Sequence, residues 1–139
     1  PHIDPDVLAD NPTRFYGWSD NTNLHTVLWN QGVVSYYGGS TLLEYAMDGE
    51  MFDYTVDYLS RALFDESIGE WRESDVFTDE AGDWEDPDAL RERREIEENE
   101  GRVWRGGDDD VSGRIWGGCY EVLVEQFLES RFDAAGSLD

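Results

Sequence analysis

Apolar residues along this chain recur mostly at helical spacing, and polar stretches rich in Gly, Asp and Pro cut the runs apart. Leu24, Val27, Leu28, Val34 and Tyr37 predict a helix over about 24–37, interrupted near Gly32 and broken by Gly38 and Gly39. Ser40 is placed to cap a short helix through Asp48, with Glu44 in its first turn and Gly49 as its stop. The clearest periodicity lies in "EMFDYTVDYLSRALFDE", where Phe52, Val56, Leu59 and Leu63 share one face and predict a helix over about 50–65. A last helix is predicted over about 113–133, burying Trp116, Tyr120, Leu123, Val124, Phe127 and Leu128.

Between these segments the pattern dissolves. Residues 1–23 form an Asp-, Pro- and Asn-rich arm whose one aromatic cluster, "RFYGW", reads as a short strand or an anchor. Residues 66–110 form an acidic excursion; within it Asp86 and Pro87 suit the start of a polar surface helix, and isolated Trp and Val suit anchored loops or a short hairpin. The expected fold class is therefore mainly α: one small helical domain over 1–139 with an acidic, partly irregular insertion.

Charge changes this picture more than composition does. The chain carries 33 Asp and Glu against 10 basic residues, all of them Arg, for a net −23, of which −12 falls in 66–110. Six Trp, seven Tyr and six Phe argue against disorder, because aromatics supply the burial that offsets chain entropy. Direct nucleic-acid binding is disfavoured, since phosphates need a basic surface. No apolar run reaches the ~18 residues of a membrane span, and the N-terminus lacks signal-peptide character. A cytoplasmic location is expected.

Candidate chemistry is sparse. Asp108, Asp110 and Ser112 occupy the first positions of a calcium loop, but position 12 is Cys119 where a bidentate Glu is needed. The same residues would serve equally to cap the last helix. Cys119 and His25 are the available thiol and imidazole for a nucleophilic pair, against which stands the ordinary role of a lone Cys as a small core residue. No cofactor is expected.

Glu121, Glu125, Glu129 and Asp133 stand at intervals of four, about 6 Å apart on a helix, a spacing comparable to that of DNA phosphates. Any amphipathic helix in so acidic a chain would show such a row, and the absence of Lys equally describes a surface built for high salt. "LH" at Leu24 and His25, "YY" at Tyr36 and Tyr37, the stop at Asp48 and Gly49, and "RI" followed by "YEVL" from Arg114 to Leu123 resemble, in their order, the Ocr-type antirestriction proteins of phages. That resemblance implies a non-enzymatic DNA mimic, a helical homodimer that competes for the basic DNA-binding groove of a protein partner. It implies that Asp48, Glu50, Asp53, Asp57, Glu121, Glu125, Glu129 and Asp133 stand in for phosphates. The alternative expectation is a structural or assembly protein of a salt-adapted organism or its virus.

Overall fold

The structure is a computed structural model that describes residues 3–80, 82–83, 85–89, 91, 93–103, 105–107 and 110–131. It divides into two compact units, the first made of residues 1–39 and 113–139, the second of 40–112.

The first unit opens with α1 (Pro5–Asp10), capped by Asp4, whose carboxylate accepts the Asp6 N–H, with Pro5 at the first position where a missing N–H costs nothing. Of the two readings of "RFYGW", a short strand or an anchor, the strand forms as β1 (Tyr16–Gly17). A 3₁₀ turn (Ser19–Asn21) leads into α2 (Thr22–Asn30), and the chain returns through Gly32, at φ 70°, to β2 (Tyr36–Tyr37). The two strands pair in parallel, Tyr16 opposite Tyr36 and Gly17 opposite Tyr37. A strand, a crossover helix and a parallel strand make a βαβ unit. This corrects the mainly α expectation: the second half of the predicted 24–37 helix is turn and strand, because Gly32 ends α2 and β-prone Val33, Val34, Tyr36 and Tyr37 follow.

The last helix, α4, runs only from Tyr120 to Leu128. Residues 113–119 are not helical, consistent with the paired glycines 117 and 118. Its buried face also differs from the predicted one. Val122 and Gln126 are buried, while Tyr120 and Leu128 are 76% and 80% exposed. Gln126, fully buried, donates from Nε2 to Asn23 Oδ1 at 3.1 Å, and its Oε1 lies 2.8 Å from the hydroxyl of buried Thr26. This polar seam ties α4 to α2, each buried group finding a partner as a low-dielectric interior requires.

In the second unit Ser40 caps a π-helical turn (Thr41–Tyr45) as expected, its hydroxyl accepting the Leu43 N–H while Glu44 accepts the Ser40 N–H. The predicted 50–65 helix forms as α3 (Asp53–Phe64), but it buries Tyr58 and Ala62 rather than the expected face: Phe52, Leu59 and Leu63 are half-buried and Val56 is 40% exposed. Two tyrosines of α3 fix the following loop. Tyr58 OH donates to the Glu70 carbonyl and accepts the Arg72 N–H, and Tyr54 OH donates to the Arg72 carbonyl and accepts the Trp71 indole N–H. β3 (Val76–Phe77) and β4 (Glu97–Glu98) pair antiparallel, so the excursion does hold a short two-stranded sheet. No helix starts at Asp86 among the described residues: its carboxylate accepts the Asp88 N–H in a turn instead. Among the described residues no helix is long and apolar enough to cross a membrane.

Candidate functional site

The sharpest local feature of the first unit is the turn from β1 into the helix that follows. Ser19, in "GWSD", has φ 57°, a left-handed conformation that costs an L-residue about 1–2 kcal/mol. A serine held in that conformation between a strand and a helix is the geometry of a nucleophile elbow, which lifts the side-chain oxygen clear of the backbone.

The surroundings over-determine this turn. The Trp18 carbonyl accepts from both the backbone N–H and the side-chain amide of Asn21, at 3.2 and 2.9 Å. The Ser19 carbonyl accepts the Thr22 hydroxyl at 2.7 Å, and the Ser19 N–H donates to the Tyr37 phenol oxygen at 3.2 Å. Gly17 is buried beneath the turn, where a Cβ would stand 2.8 Å from the Asn21 Cβ. Only glycine fits there. Ser19 itself is half-buried, and its hydroxyl takes part in none of the hydrogen bonds found among the described residues.

His25, one turn into α2, is buried and committed. Its Nε2 lies 3.1 Å from the Gly17 carbonyl, which can only accept, so Nε2 carries the proton; neutral Nδ1 then accepts from the Ser35 hydroxyl at 2.7 Å. Burial lowers its pKa from the ordinary 6.5, and the Gly17 bond opposes that shift in part. The folded chain thus binds fewer protons than the unfolded one, and stability is fully present above pH 6.5 and declines as pH falls through the lowered value. Denaturant midpoints at constant high salt should fall as the pH drops below about 6.5, and His25→Gln, which retains a donor without titrating, should flatten the slope.

A second support reaches the elbow from across the unit. The Cys119 N–H donates to the Thr22 hydroxyl oxygen at 2.9 Å, and Gly118 packs so tightly that a Cβ would lie 2.5 Å from Thr22 Cγ2. Gly118→Ala should cost about 1–3 kcal/mol in a denaturation midpoint, since the overpacked Thr22 must release one of its two bonds. Sequence spacing gave no hint of this contact, which joins residues 97 apart.

The residues selected from the sequence fall elsewhere. Cys119 and His25 do not pair: the thiol donates to Glu121 Oε2 at 3.1 Å, a bond that, ahead of the Glu121 backbone N–H, holds that carboxyl below its usual pKa. Asp110 and Ser112 are exposed and cap no helix; Asp108 and Asp133 lie outside the described residues. Among the described residues no cluster of three or more His, Cys, Asp or Glu could hold a metal. Glu121 and Glu125 are exposed on α4, and Glu129 closes that helix and pairs with Arg131. Asp48 and Glu50 lie in a loop of the other unit, Glu50 pairing with Arg93 at 3.5 Å. Asp53 starts α3, and Asp57 pairs with Arg61 one turn on at 2.8 Å. Three of the eight proposed phosphate stand-ins are thus bonded to arginines. Ser19 was not selected at all. Its signal was "GWSD" after a predicted strand, a nucleophile motif with Asn21 where the second glycine is usual.

Residues 1–38 match the family model described as the LD-carboxypeptidase N-terminal domain, Peptidase_S66. Among solved structures, the chain is similar to the MccF-like protein from Streptococcus pneumoniae in complex with AMP, at 33% identity and a TM-score of 0.72, covering 95% of this chain and 39% of that one. It is also similar to an MccF-like protein from Bacillus anthracis str. Ames, at 26% identity and a TM-score of 0.50, covering 72% of this chain and 29% of that one. No curated protein matches. The chain therefore spans about two fifths of the length of the first of these structures. These matches overturn the resemblance to Ocr-type antirestriction proteins, and with it the non-enzymatic DNA mimic and its structural alternative. They lie with a peptidase family and an α/β fold. Of the short motifs that suggested the mimic, "LH" sits on α2 and "YY" is β2, both within the βαβ segment.

Proposed function

We propose that this chain carries the nucleophile-bearing segment of a serine hydrolase of the LD-carboxypeptidase and MccF-like type, with Ser19 as the nucleophile. The observation that carries the reading is the Ser19 φ of 57° at a strand-to-helix turn, inside the segment that matches the carboxypeptidase domain. In the proposed reaction Ser19 Oγ attacks the carbonyl carbon of a scissile amide, its proton passes to a general base, and the acyl group is held as an ester until water releases it. The Asp20 N–H follows the nucleophile at the start of the 3₁₀ turn, where no intrahelical acceptor exists, and is the donor this geometry offers to the developing oxyanion. His25 is not the base, because both ring nitrogens are engaged.

The substrate class we propose is a peptide or other acyl amide cleaved at its carboxyl-terminal end. AMP, bound in the S. pneumoniae structure, is the ligand to test beside it. Incubation of the full chain with a serine-directed fluorophosphonate, followed by peptide mass spectrometry, is expected to place one adduct on the peptide holding Ser19. An adduct on another serine, or none under conditions where the chain is folded, would remove the assignment.

A further inference from the structure

We propose that Tyr37 is a positioning residue for the nucleophile: its phenol oxygen, presented by β2, holds the backbone of Ser19 in the left-handed conformation that the attack requires. This rests on Ser19 being the nucleophile.

The bonds that fix the elbow differ in range. Asn21 to Trp18 and Thr22 to Ser19 are local, each spanning three residues, and would accompany any helix starting at this point. The bond from the Ser19 N–H to Tyr37 spans 18 residues and is the direct long-range hydrogen bond of the Ser19 backbone among the described residues, whereas Cys119 reaches the Ser19 carbonyl only through Thr22. Ser19 begins its helical turn, so its N–H has no intrahelical acceptor. The phenol oxygen is what takes that place.

Tyr37 is set for this by the sheet. The parallel register puts it opposite Gly17, two residues before the nucleophile, and its ring packs against the His25 imidazole at 5.7 Å, which is itself bonded to the Gly17 carbonyl. The side chain is 44% exposed, so burial is a modest part of what it contributes. Neighbouring Tyr36 has the same chemistry, and no hydrogen bond from its hydroxyl is found among the described residues. Removing the Tyr37 oxygen frees the Ser19 N–H and lets φ relax. A displacement of about 1 Å at a reacting atom costs on the order of 10²-fold in rate.

The test compares the full chain with Tyr37→Phe and Tyr36→Phe in high-salt buffer. In the unsubstituted chain the Ser19 amide should exchange with deuterium at least ~10-fold more slowly than an unbonded amide, although no helix bond protects it. In Tyr37→Phe that protection should vanish, the Ser19 ¹³Cα and ¹³Cβ shifts should move away from left-handed values, and labelling by the fluorophosphonate should slow by ~10–100-fold. Tyr36→Phe should match the parent in each. Absence of Ser19 protection in the parent chain overturns the proposal even if Tyr37→Phe does not fold. Lost protection with unchanged labelling also overturns it, because the bond would then be structural only. A parent chain that fails to label at Ser19 while its amide is protected sinks the nucleophile reading instead, and the proposal with it.

Discussion

For Ser19 as the proposed nucleophile, replacement by alanine is expected to lower kcat/KM for the proposed amide or ester hydrolysis by roughly 10³- to 10⁶-fold while leaving the far-UV circular dichroism of the chain unchanged. The size of the effect follows from the role. A nucleophile supplies the bond that splits one hard step into two, and the oxyanion donor and substrate contacts that remain cannot replace it. The same position makes a second, opposite forecast. Alanine keeps the strain of the left-handed backbone, whereas glycine populates that region freely and relieves about 1 kcal/mol. Ser19→Gly should therefore be as inactive as Ser19→Ala and yet unfold at a higher denaturant concentration. Equal midpoints for the two variants would mean that φ 57° is not a strained element of the folded chain. Full activity in Ser19→Ala would end the serine hydrolase assignment.

The elements most legible in the sequence were those whose signals are local. The α3 helix showed a clean period, Ser40 with Glu44 read as a cap, and "RFYGW" read as a short strand or an anchor; the helix, the cap and the strand formed, although α3 buries Tyr58 and Ala62 rather than the expected face. The rest depended on partners distant in sequence. "YY" has the same residues whether it extends a helix or pairs in a sheet, and only β1 decides. Thr22, Thr26 and Gln126 look like surface residues one at a time, but together they form the buried seam between α2 and α4, so the face of α4 was misassigned. The acidic rows formed only in part, with Glu121 and Glu125 on α4, Glu129 closing it, and Asp48 and Glu50 in a loop, and the mimicry they suggested is overturned by the peptidase-family matches. Helical period turns any excess of Asp and Glu into stripes, and here Asp57, Glu50 and Glu129 are paired with arginines. The elbow was missed for a different reason. Its defining property is a backbone angle, and a motif with Asn21 in place of glycine does not announce that angle.

Transferred from about 3 M KCl to 0.1 M, the chain is expected to lose most of its helical circular dichroism, and to regain it when salt is restored. Twenty-three net negative charges reside on 139 residues, and the described acids are overwhelmingly exposed. The Debye length falls from about 10 Å at 0.1 M to about 3 Å at 1 M, so high salt confines each carboxylate's field to its immediate neighbours. Treating the folded and unfolded chains as charged bodies of the sizes usual for this length, that change removes on the order of 10 kcal/mol of self-repulsion from the folded state relative to the unfolded one. The whole stability of a domain is about 5–15 kcal/mol, so screening alone is large enough to decide whether the chain folds. Little apolar burial opposes the repulsion. The buried hydrophobics among the described residues are Leu28, Tyr58, Ala62 and Val122, and the buried positions around α2 are mostly polar. Changing several exposed acids between 66 and 110 to Lys should shift the folding midpoint to lower salt, because these positions hold −12 of the net charge. Sucrose at equal osmolality separates screening from general exclusion: it should not substitute for KCl. Retention of helix at 0.1 M KCl by the unsubstituted chain would show that self-repulsion is offset elsewhere. The nucleophile assignment would then be testable in dilute buffer.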